Sequence, residues 1–391
     1  MKLARGGITF PKGFYAIGKK AGIKARKKDL CVIYSDNLAN AAGCFTTNTV
    51  KAPPVIVSIG KLKNGKAQAV VVNSGCANAC TGKRGLKDAE KTVELTAKEL
   101  GVEQENVVVA STGLIGSYLP MDKVKRALTG IQKQLGRSEF HSRSAADSIM
   151  TTDTKRKEIA LNVNGIRFGA MAKGSGMIKP DMATMLCFIT TDAVAPAKIC
   201  GKALKVAVAK TFNMVSVDGD MSTNDAVVLL ANGASGRALP EKKFRQAIEF
   251  ICENMAKKIA ADGEGATKIM EVNVINAKSE KSAKELALAV VDSSLVKSAL
   301  FGEDPNWGRI MSSIGSTKES FDPNKVDIFF GKVAAVKKGV EAKSSKKNLE
   351  RALTGKEIKI TINLNNGTKQ AKAWGCDLTY KYVEINADYH T

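Results

Sequence analysis

The sequence predicts an α/β protein, an α+β sandwich in which layered sheets are flanked by helices. Three observations carry that reading. Short, apolar, β-branched runs alternate with segments of helical period along the whole chain. Prolines are few, 9 in 391 residues, and no low-complexity linker or internal repeat interrupts the alternation. Apolar residues make up 44% and charged residues 25%, which suits a folded chain with a sizeable core and excludes disordered and fibrous classes.

Taken in order, residues 6–14 read as strand and turn, because Gly6, Gly7, Pro11 and Gly13 punctuate an apolar stretch. Residues 67–73 (AQAVVVN) form a buried strand bounded by Gly65 and Gly75. Leu86, Ala89, Val93, Leu95, Ala97 and Leu100 recur near helical spacing, and Gly101 supplies the stop. Residues 106–110 make the next strand and run directly into Ser111-Thr112-Gly113. A helix is expected over 120–135, closed by Gly136, and a hairpin over 158–170 turning at Asn164-Gly165. Helices are further expected over 197–212 and 241–261. Strands are expected over 185–190, 272–275, 326–329, 358–364 and 378–385.

Composition narrows the chemistry. His141 and His390 are the only two histidines, so a multi-histidine metal site cannot be built. The eight cysteines are scattered without a Cys-x-x-Cys, which argues for ordinary thiols in a reducing, cytoplasmic compartment rather than a disulfide or zinc framework. The longest apolar runs fall far short of the ~18–20 residues that cross a bilayer, so no membrane partner is expected. The first 28 residues hold nine basic side chains and no acid, yet their strand-and-turn pattern reads as mature protein rather than as a transit peptide or secretory signal.

The formal net charge is +22 and leans toward the first half of the chain. Its densest clusters, at 19–28 and 337–347, contain no interleaved aromatics of the kind that stack on single-stranded nucleic acid. A solvated basic surface that attracts small acidic substrates is the expectation, and a nucleic-acid-binding protein is the rival from another class.

Three polar, glycine-containing segments could hold chemistry. Gly174-Ser175-Gly176 lacks the phosphate-loop spacing and reads as a turn, followed at 180–186 by a hydroxyl residue entering an apolar strand. Residues 216–225 resemble a calcium loop only superficially and read as a hydrogen-bonded loop; no metal is expected. Asp262-Gly263-Glu264-Gly265 is either a helix-stop loop or a place where backbone approaches a small ligand while Glu264 meets a cation.

Together these segments acquire a meaning that none has alone. Gly7-Ile8-Thr9, Asn73-Ser74-Gly75 with Ala77-Asn78-Ala79, Ser111-Thr112-Gly113, Thr151-Thr152-Asp153-Thr154, Lys173-Gly174-Ser175-Gly176-Met177-Ile178, Ala183-Thr184-Met185-Leu186, residues 262–268, Asp304-Pro305-Asn306-Trp307-Gly308-Arg309 and residues 373–380 follow one another in a fixed order. In that order the chain resembles the ornithine acetyltransferase (glutamate N-acetyltransferase) family of arginine biosynthesis over essentially its whole length. Departures are mild: Lys179 stands where many members have a small residue, and Cys76 interrupts an otherwise matching segment.

The resemblance implies an N-terminal-nucleophile architecture shared with aminopeptidases, and an enzyme that cuts its own chain between Ala183 and Thr184. Residues 1–183 would then form a first chain, and 184–391 a second that begins with the nucleophile Thr184. It implies Thr112 and Gly113 as the oxyanion hole, and Thr151, Lys173, Thr184, Glu264, Asn386 and the C-terminal Thr391 as substrate contacts, with Thr152 the register alternative to Thr151. A threonine hydroxyl is a weak nucleophile that needs a base beside it, and a freed α-amine with a pKa of ~7.7–8.0 can serve where imidazole is scarce. The implied reaction moves an acetyl group from N-acetylornithine to glutamate. Some members also take acetyl-CoA as a substrate, and the family implies a tetramer of two first and two second chains and no cofactor. A self-cleaving aminopeptidase or amidohydrolase of related architecture is the nearest alternative.

Overall fold

A computed structural model describes residues 1–179 and 185–388. The first half contains β1 (Lys2–Ala4), β2 (Phe14–Lys19), β3 (Leu30–Phe45), α1 (Pro53–Lys61), β4 (Lys66–Cys76), α2 (Gly82–Leu100), β5 (Val107–Leu114), α3 (Met121–Leu128), α4 (Glu139–Ile149), β6 (Lys157–Val163) and β7 (Ile166–Lys173). The second continues with β8 (Leu186–Thr191), α5 (Ala197–Lys210), β9 (Val215–Ser216), β10 (Ala226–Ala231), α6 (Glu241–Ala261), β11 (Ile269–Ala277), α7 (Glu280–Asp292), α8 (Ser294–Phe301) and α9 (Trp307–Gly315). It closes with β12 (Asp327–Phe330), β13 (Val333–Lys337), β14 (Val340–Glu341), α10 (Lys346–Arg351), β15 (Glu357–Asn363), β16 (Lys369–Cys376) and α11 (Tyr380–Asp388). The expected layered α/β arrangement is what the chain adopts.

Among the described residues the strands form two sheets. The larger runs β1-β6-β7-β8-β10-β3-β4-β5, with β2 also paired to β3; the smaller runs β14-β13-β12-β15-β11-β16-β9. Strand β3 is the hinge of the larger sheet. Residues 30–35 pair with β2 and residues 40–45 with β10, while the register against β4 shifts between Tyr34 and Ala39. Such an irregularity bends a strand. One buried cluster accordingly unites Ile33, Val70 and Val108 from one half of the sheet with Met171, Phe188 and Val228 from the other, together with Ala145 and Ile149 of α4.

Helix α6 lies between the two sheets. Phe244, Ile248, Ile251, Cys252 and Met255 are buried along it and share a cluster with Phe168 and Ile189 of the larger sheet and Met270 and Trp374 of the smaller. Helix α2 covers the outer side of β4 and β5 through Ala89, Val93, Ala97 and Leu100, the stripe its sequence period defined, and Gly101 ends it in the left-handed region at φ 68°.

Two expectations are corrected. The helix expected over 120–135 stops at Leu128, because Gly130 takes φ 69°, and only a short 3-10 turn (Ile131–Gln134) follows. The stretch 378–385, expected as a strand from its alternating Leu, Tyr, Val and Ile, is the start of helix α11. The Asp377 carboxylate accepts from Thr267 N–H at 2.8 Å and Lys268 N–H at 2.9 Å and so ends β16. Leu378, Tyr382 and Ile385, rather than alternate residues, are then the half-buried positions.

Truncating Ile251 to alanine in α6 should cost about 2–5 kcal/mol, because the side chain is fully buried between two sheets that cannot both collapse onto the space. Denaturant unfolding of Ile251→Ala, read as a lower midpoint at unchanged slope, checks this.

Candidate active site

The site is built where strands that are distant in the sheet order come together. Thr112 and Gly113 lie at the end of β5, and Lys173 ends β7, with four strands between them along the larger sheet. The bend at β3 nevertheless brings the Lys173 ammonium to the Thr112 hydroxyl, to which it donates at 3.4 Å. Both side chains are buried.

The backbone around Thr112 is held by amides. Ser111 Oγ donates to Asn73 Oδ1 at 2.6 Å, and Asn224 Nδ2 donates to the carbonyls of Ala77 at 2.7 Å and Ser111 at 3.0 Å. Gly113 takes φ 129°, and a Cβ there would collide with the backbone of Gly75 and Cys76. Only glycine allows β4 and β5 to lie this close at their ends. Residues 216–225 thus work as the hydrogen-bonded loop expected of them, and Asn224 is their contribution to the site.

Lys173 has charged neighbours on both sides. Burial pushes its pKa down, while the carboxylates of Asp153, Asp225 and Glu264 pull the other way. Burial pushes Asp225 well above the usual carboxylate range, opposed by the Met185 N–H, which it accepts at 2.8 Å, and by Lys173. Leu186 pairs with Lys173 in the β7–β8 ladder. On the preceding side, the Asp218 carboxylate accepts from Met177 N–H at 2.6 Å and Ile178 N–H at 2.7 Å, and holds Met177 at φ 56°, a conformation unusual for a non-glycine residue. Both flanks of the stretch 180–184 are therefore anchored on aspartates, Asp218 half-buried and Asp225 buried. Ala183 and Thr184 themselves lie outside the described residues, as does Thr391.

The remaining candidates converge through loops. A buried ion triad joins them: the Lys157 ammonium donates to Asp153 Oδ1 at 2.7 Å and to Asp262 Oδ2 at 2.6 Å. Asp153 also accepts from the N–H of Gly174 at 2.7 Å and of Thr151 at 3.0 Å, and Asp262 accepts from Thr154 and Lys155 N–H. Thr151 and the start of the 174–179 loop are fixed by one carboxylate, and the loop carrying Glu264 by another. Thr152 instead shares a 2.7 Å hydroxyl contact with Ser175.

Glu264 packs its carboxyl directly on Gly176, where any side chain would collide with it, and its N–H donates to Ser175 O at 2.8 Å. Asn386 Nδ2 in α11 donates to Glu264 Oε2 at 2.9 Å. The C-terminal helix thus packs on the loop that carries Glu264, clasped by Thr379 Oγ1, which donates to Gly265 O at 2.8 Å. Lys173 and Glu264 thus set a buried cation and a carboxylate in one site, the polarity a zwitterionic amino acid requires.

The chain matches the ArgJ family model over residues 15–391. An arginine biosynthesis bifunctional protein ArgJ of Caldanaerobacter subterraneus subsp. tengcongensis is 48% identical, with 100% of both chains covered. The chain belongs to the ArgJ family. The ArgJ protein of Symbiobacterium thermophilum is 46% identical, again over 100% of both chains. A solved ArgJ structure from Bacillus halodurans is 41% identical, with a TM-score of 0.51, over 52% of this chain and 98% of that one.

Several residues that build this ArgJ site escaped the sequence reading. Asp153, Lys157, Asp262 and Asn224 hold its parts together; the only sequence signal is that Asp153, Asn224 and Asp262 stand in the polar segments 151–154, 216–225 and 262–268, and Lys157 carries none. Lys24 was assigned to a solvated basic surface; it is instead half-buried, with its ammonium donating to Met150 O at 2.8 Å, next to Thr151. A surface cavity of about 910 Å³ between α1 and α2 is lined by none of the candidate residues.

Among the effects on Asp153, burial raises its pKa, but Lys173, Lys157 and the Gly174 N–H outweigh that and bring it to about 2. A carboxylate depressed below its unfolded value of 3.8 stabilises the fold above that pH, and the contribution is lost as pH falls from about 4 to about 2. The amount is on the order of 2 kcal/mol. Asp153→Asn should lower stability at pH 7 by about 3 kcal/mol and flatten the dependence between pH 4 and 2, as read from denaturant unfolding across that range.

Proposed function

We propose that this ArgJ-family enzyme cleaves its own chain between Ala183 and Thr184 and then transfers an acetyl group from N-acetylornithine to glutamate through an acetyl-threonine intermediate. The observation that carries the reading is the meeting of Thr112, Lys173 and Glu264 beside the two anchored flanks of the 180–184 stretch. The naming of the curated relatives, arginine biosynthesis bifunctional protein, agrees with it. That the Bacillus halodurans chain spans about half of this one supports two mature chains, 1–183 and 184–391. On this reading they assemble as two of each in a cytoplasmic biosynthetic enzyme, with acetyl-CoA as an additional acetyl donor.

In the first half-reaction the Thr184 hydroxyl oxygen attacks the acetyl carbonyl carbon, and its proton passes to the α-amine of Thr184. The carbon–nitrogen bond then breaks, and the departing ornithine nitrogen takes that proton. The acetyl group is left as an ester on Thr184, and the amine of glutamate reverses the sequence. Ping-pong kinetics follow.

The surroundings of Thr112 suit the negative charge that develops on the carbonyl oxygen. Because Lys173 donates to the Thr112 oxygen, the hydroxyl proton of Thr112 is directed away from Lys173 and can be given to the oxyanion. Lys173, in the same place, pairs with the substrate carboxylate, and Glu264 with its ammonium group.

Intact mass under denaturing conditions tests the cleavage. Two species whose masses sum to the full chain plus one water, with the first ending at Ala183, are expected; Thr184→Ala should stay as one chain and transfer nothing. An uncut wild-type chain that still transfers acetyl groups overturns the mechanism. Thr112→Ala, with processing checked in the same way, should lower kcat by about 2.7–4 kcal/mol of transition-state stabilisation, on the order of a hundredfold to a thousandfold.

A further inference from the structure

The donor and acceptor just proposed share an α-carboxylate and an α-nitrogen but end in opposite charges, an ammonium on ornithine and a carboxylate on glutamate. A site offering only Glu264 to the side-chain end would attract the first and repel the second. Resting on that reading of the reaction, we propose that Lys24 is a substrate-binding residue whose ammonium receives the side-chain carboxylate of glutamate, so that one site accepts both amino acids.

Lys24 lies in the 20–29 loop between β2 and β3, and the loop is shaped to deliver it. Asp29, fully buried, accepts from the backbone N–H of Ala21 at 2.5 Å, Gly22 at 3.0 Å and Lys24 at 2.8 Å. Lys28 Nζ donates to Ser144 Oγ at 2.6 Å and Lys123 Nζ to Gly22 O at 2.7 Å, tying both ends of the loop to α4 and α3. A lysine on a free loop would lose more side-chain and backbone freedom on meeting a ligand; this one is pre-organised.

The stem of Lys24 passes against Gly75. A Cβ placed on Gly75 would stand 2.7 Å from Lys24 Cγ, so glycine is required at this point too, and Gly75 is the residue paired with Gly113. The ammonium then reaches Met150 O at 2.8 Å, one residue before Thr151. It thus ends next to Thr151 and within electrostatic range of Lys173, two of the candidate site residues.

What the ammonium lacks is an anion. Its hydrogen-bond partner is a neutral carbonyl, and among the described residues no carboxylate lies within ion-pair distance. The charged groups that face it are Asp29 and Lys27 from its own loop, Asp153 from the loop after α4, and Lys173 from β7. Burial pushes its pKa down to about 8, with Asp29 and Asp153 opposing and Lys27 and Lys173 reinforcing. Lys157, by contrast, is buried between two carboxylates and has nothing left to offer a ligand. Among the described residues this half-buried cation has no counterion and stands within electrostatic range of a second cation, so it gains when a dicarboxylate arrives.

The test separates the two half-reactions and the two acceptors. Lys24→Met should still form the acetyl-enzyme from N-acetylornithine, seen as one acetyl added to the second chain and one ornithine released. Its KM for glutamate should rise by about tenfold or more. With glutamine, the neutral analogue, as acceptor, KM should move by less than about twofold, so the preference for glutamate over glutamine collapses; Lys24→Arg should restore most of it. A glutamate KM that stays put, or one that rises equally for glutamate, glutamine and N-acetylornithine, overturns the proposal, the second outcome marking a structural role or recognition of the shared α-carboxylate. If the wild-type enzyme forms no acetyl-enzyme, the reading of the reaction fails instead. Calorimetric titration of wild type and Lys24→Met with glutamate and glutamine then still decides whether Lys24 binds the second carboxylate.

Discussion

The arrangement of this site depends on one buried ammonium. Lys157 sits between Asp153 and Asp262 where water does not reach, and each carboxylate spends its remaining lone pairs on backbone N–H groups of a different segment. Asp153 captures Thr151 and Gly174; Asp262 captures Thr154 and Lys155 at the head of the loop that carries Glu264. Ion groups this deeply buried are costly to desolvate, and their net stabilisation against a well-packed apolar core is small. Their value here is geometric. An apolar core could fill the same volume but could not dictate where three loops place their backbone N–H groups.

The bend of β3 is the second constraint, and it acts on a larger scale. A flat sheet in the observed strand order would separate β5 from β7 by the width of four intervening strands. Folded at the irregularity between Tyr34 and Ala39, the same sheet brings Thr112 to Lys173 and surrounds both with a shared apolar core. The buried location then determines the electrostatics. Lys173 and Asp225 are each driven toward neutrality by burial and drawn back by one another, a balance that leaves the site responsive to the charge of what enters.

Polarity across the site follows from which loops the triad gathers. Lysines arrive from β7 and from the 20–29 loop, and Glu264 arrives on the loop after α6 with Asn386 against it. The Asp218 anchor holds Met177 in an unfavourable backbone region immediately before the stretch where cleavage is proposed. A chain held firmly on both sides of a scissile bond loses little further freedom in reaching a reactive geometry.

Sequence alone determined most of the elements and the layered α/β class, because those depend on local period and on glycine punctuation: α2 ends at Gly101 and α6 spans Glu241–Ala261 as their apolar spacing dictates. It also marked the segments from which the candidate site is drawn, through the ordered run of motifs from Gly7 to Tyr380. Where the local signal was ambiguous, tertiary contacts decided. Residues 378–385 alternate like a strand yet form a helix because Asp377 is claimed by Thr267 and Lys268. Lys24 and Lys157 are indistinguishable in sequence from the solvated lysines around them. Only the folded chain shows that Lys157 is paired with two carboxylates and that Lys24, among the described residues, is paired with none, because burial and counterions are properties of neighbours distant in sequence.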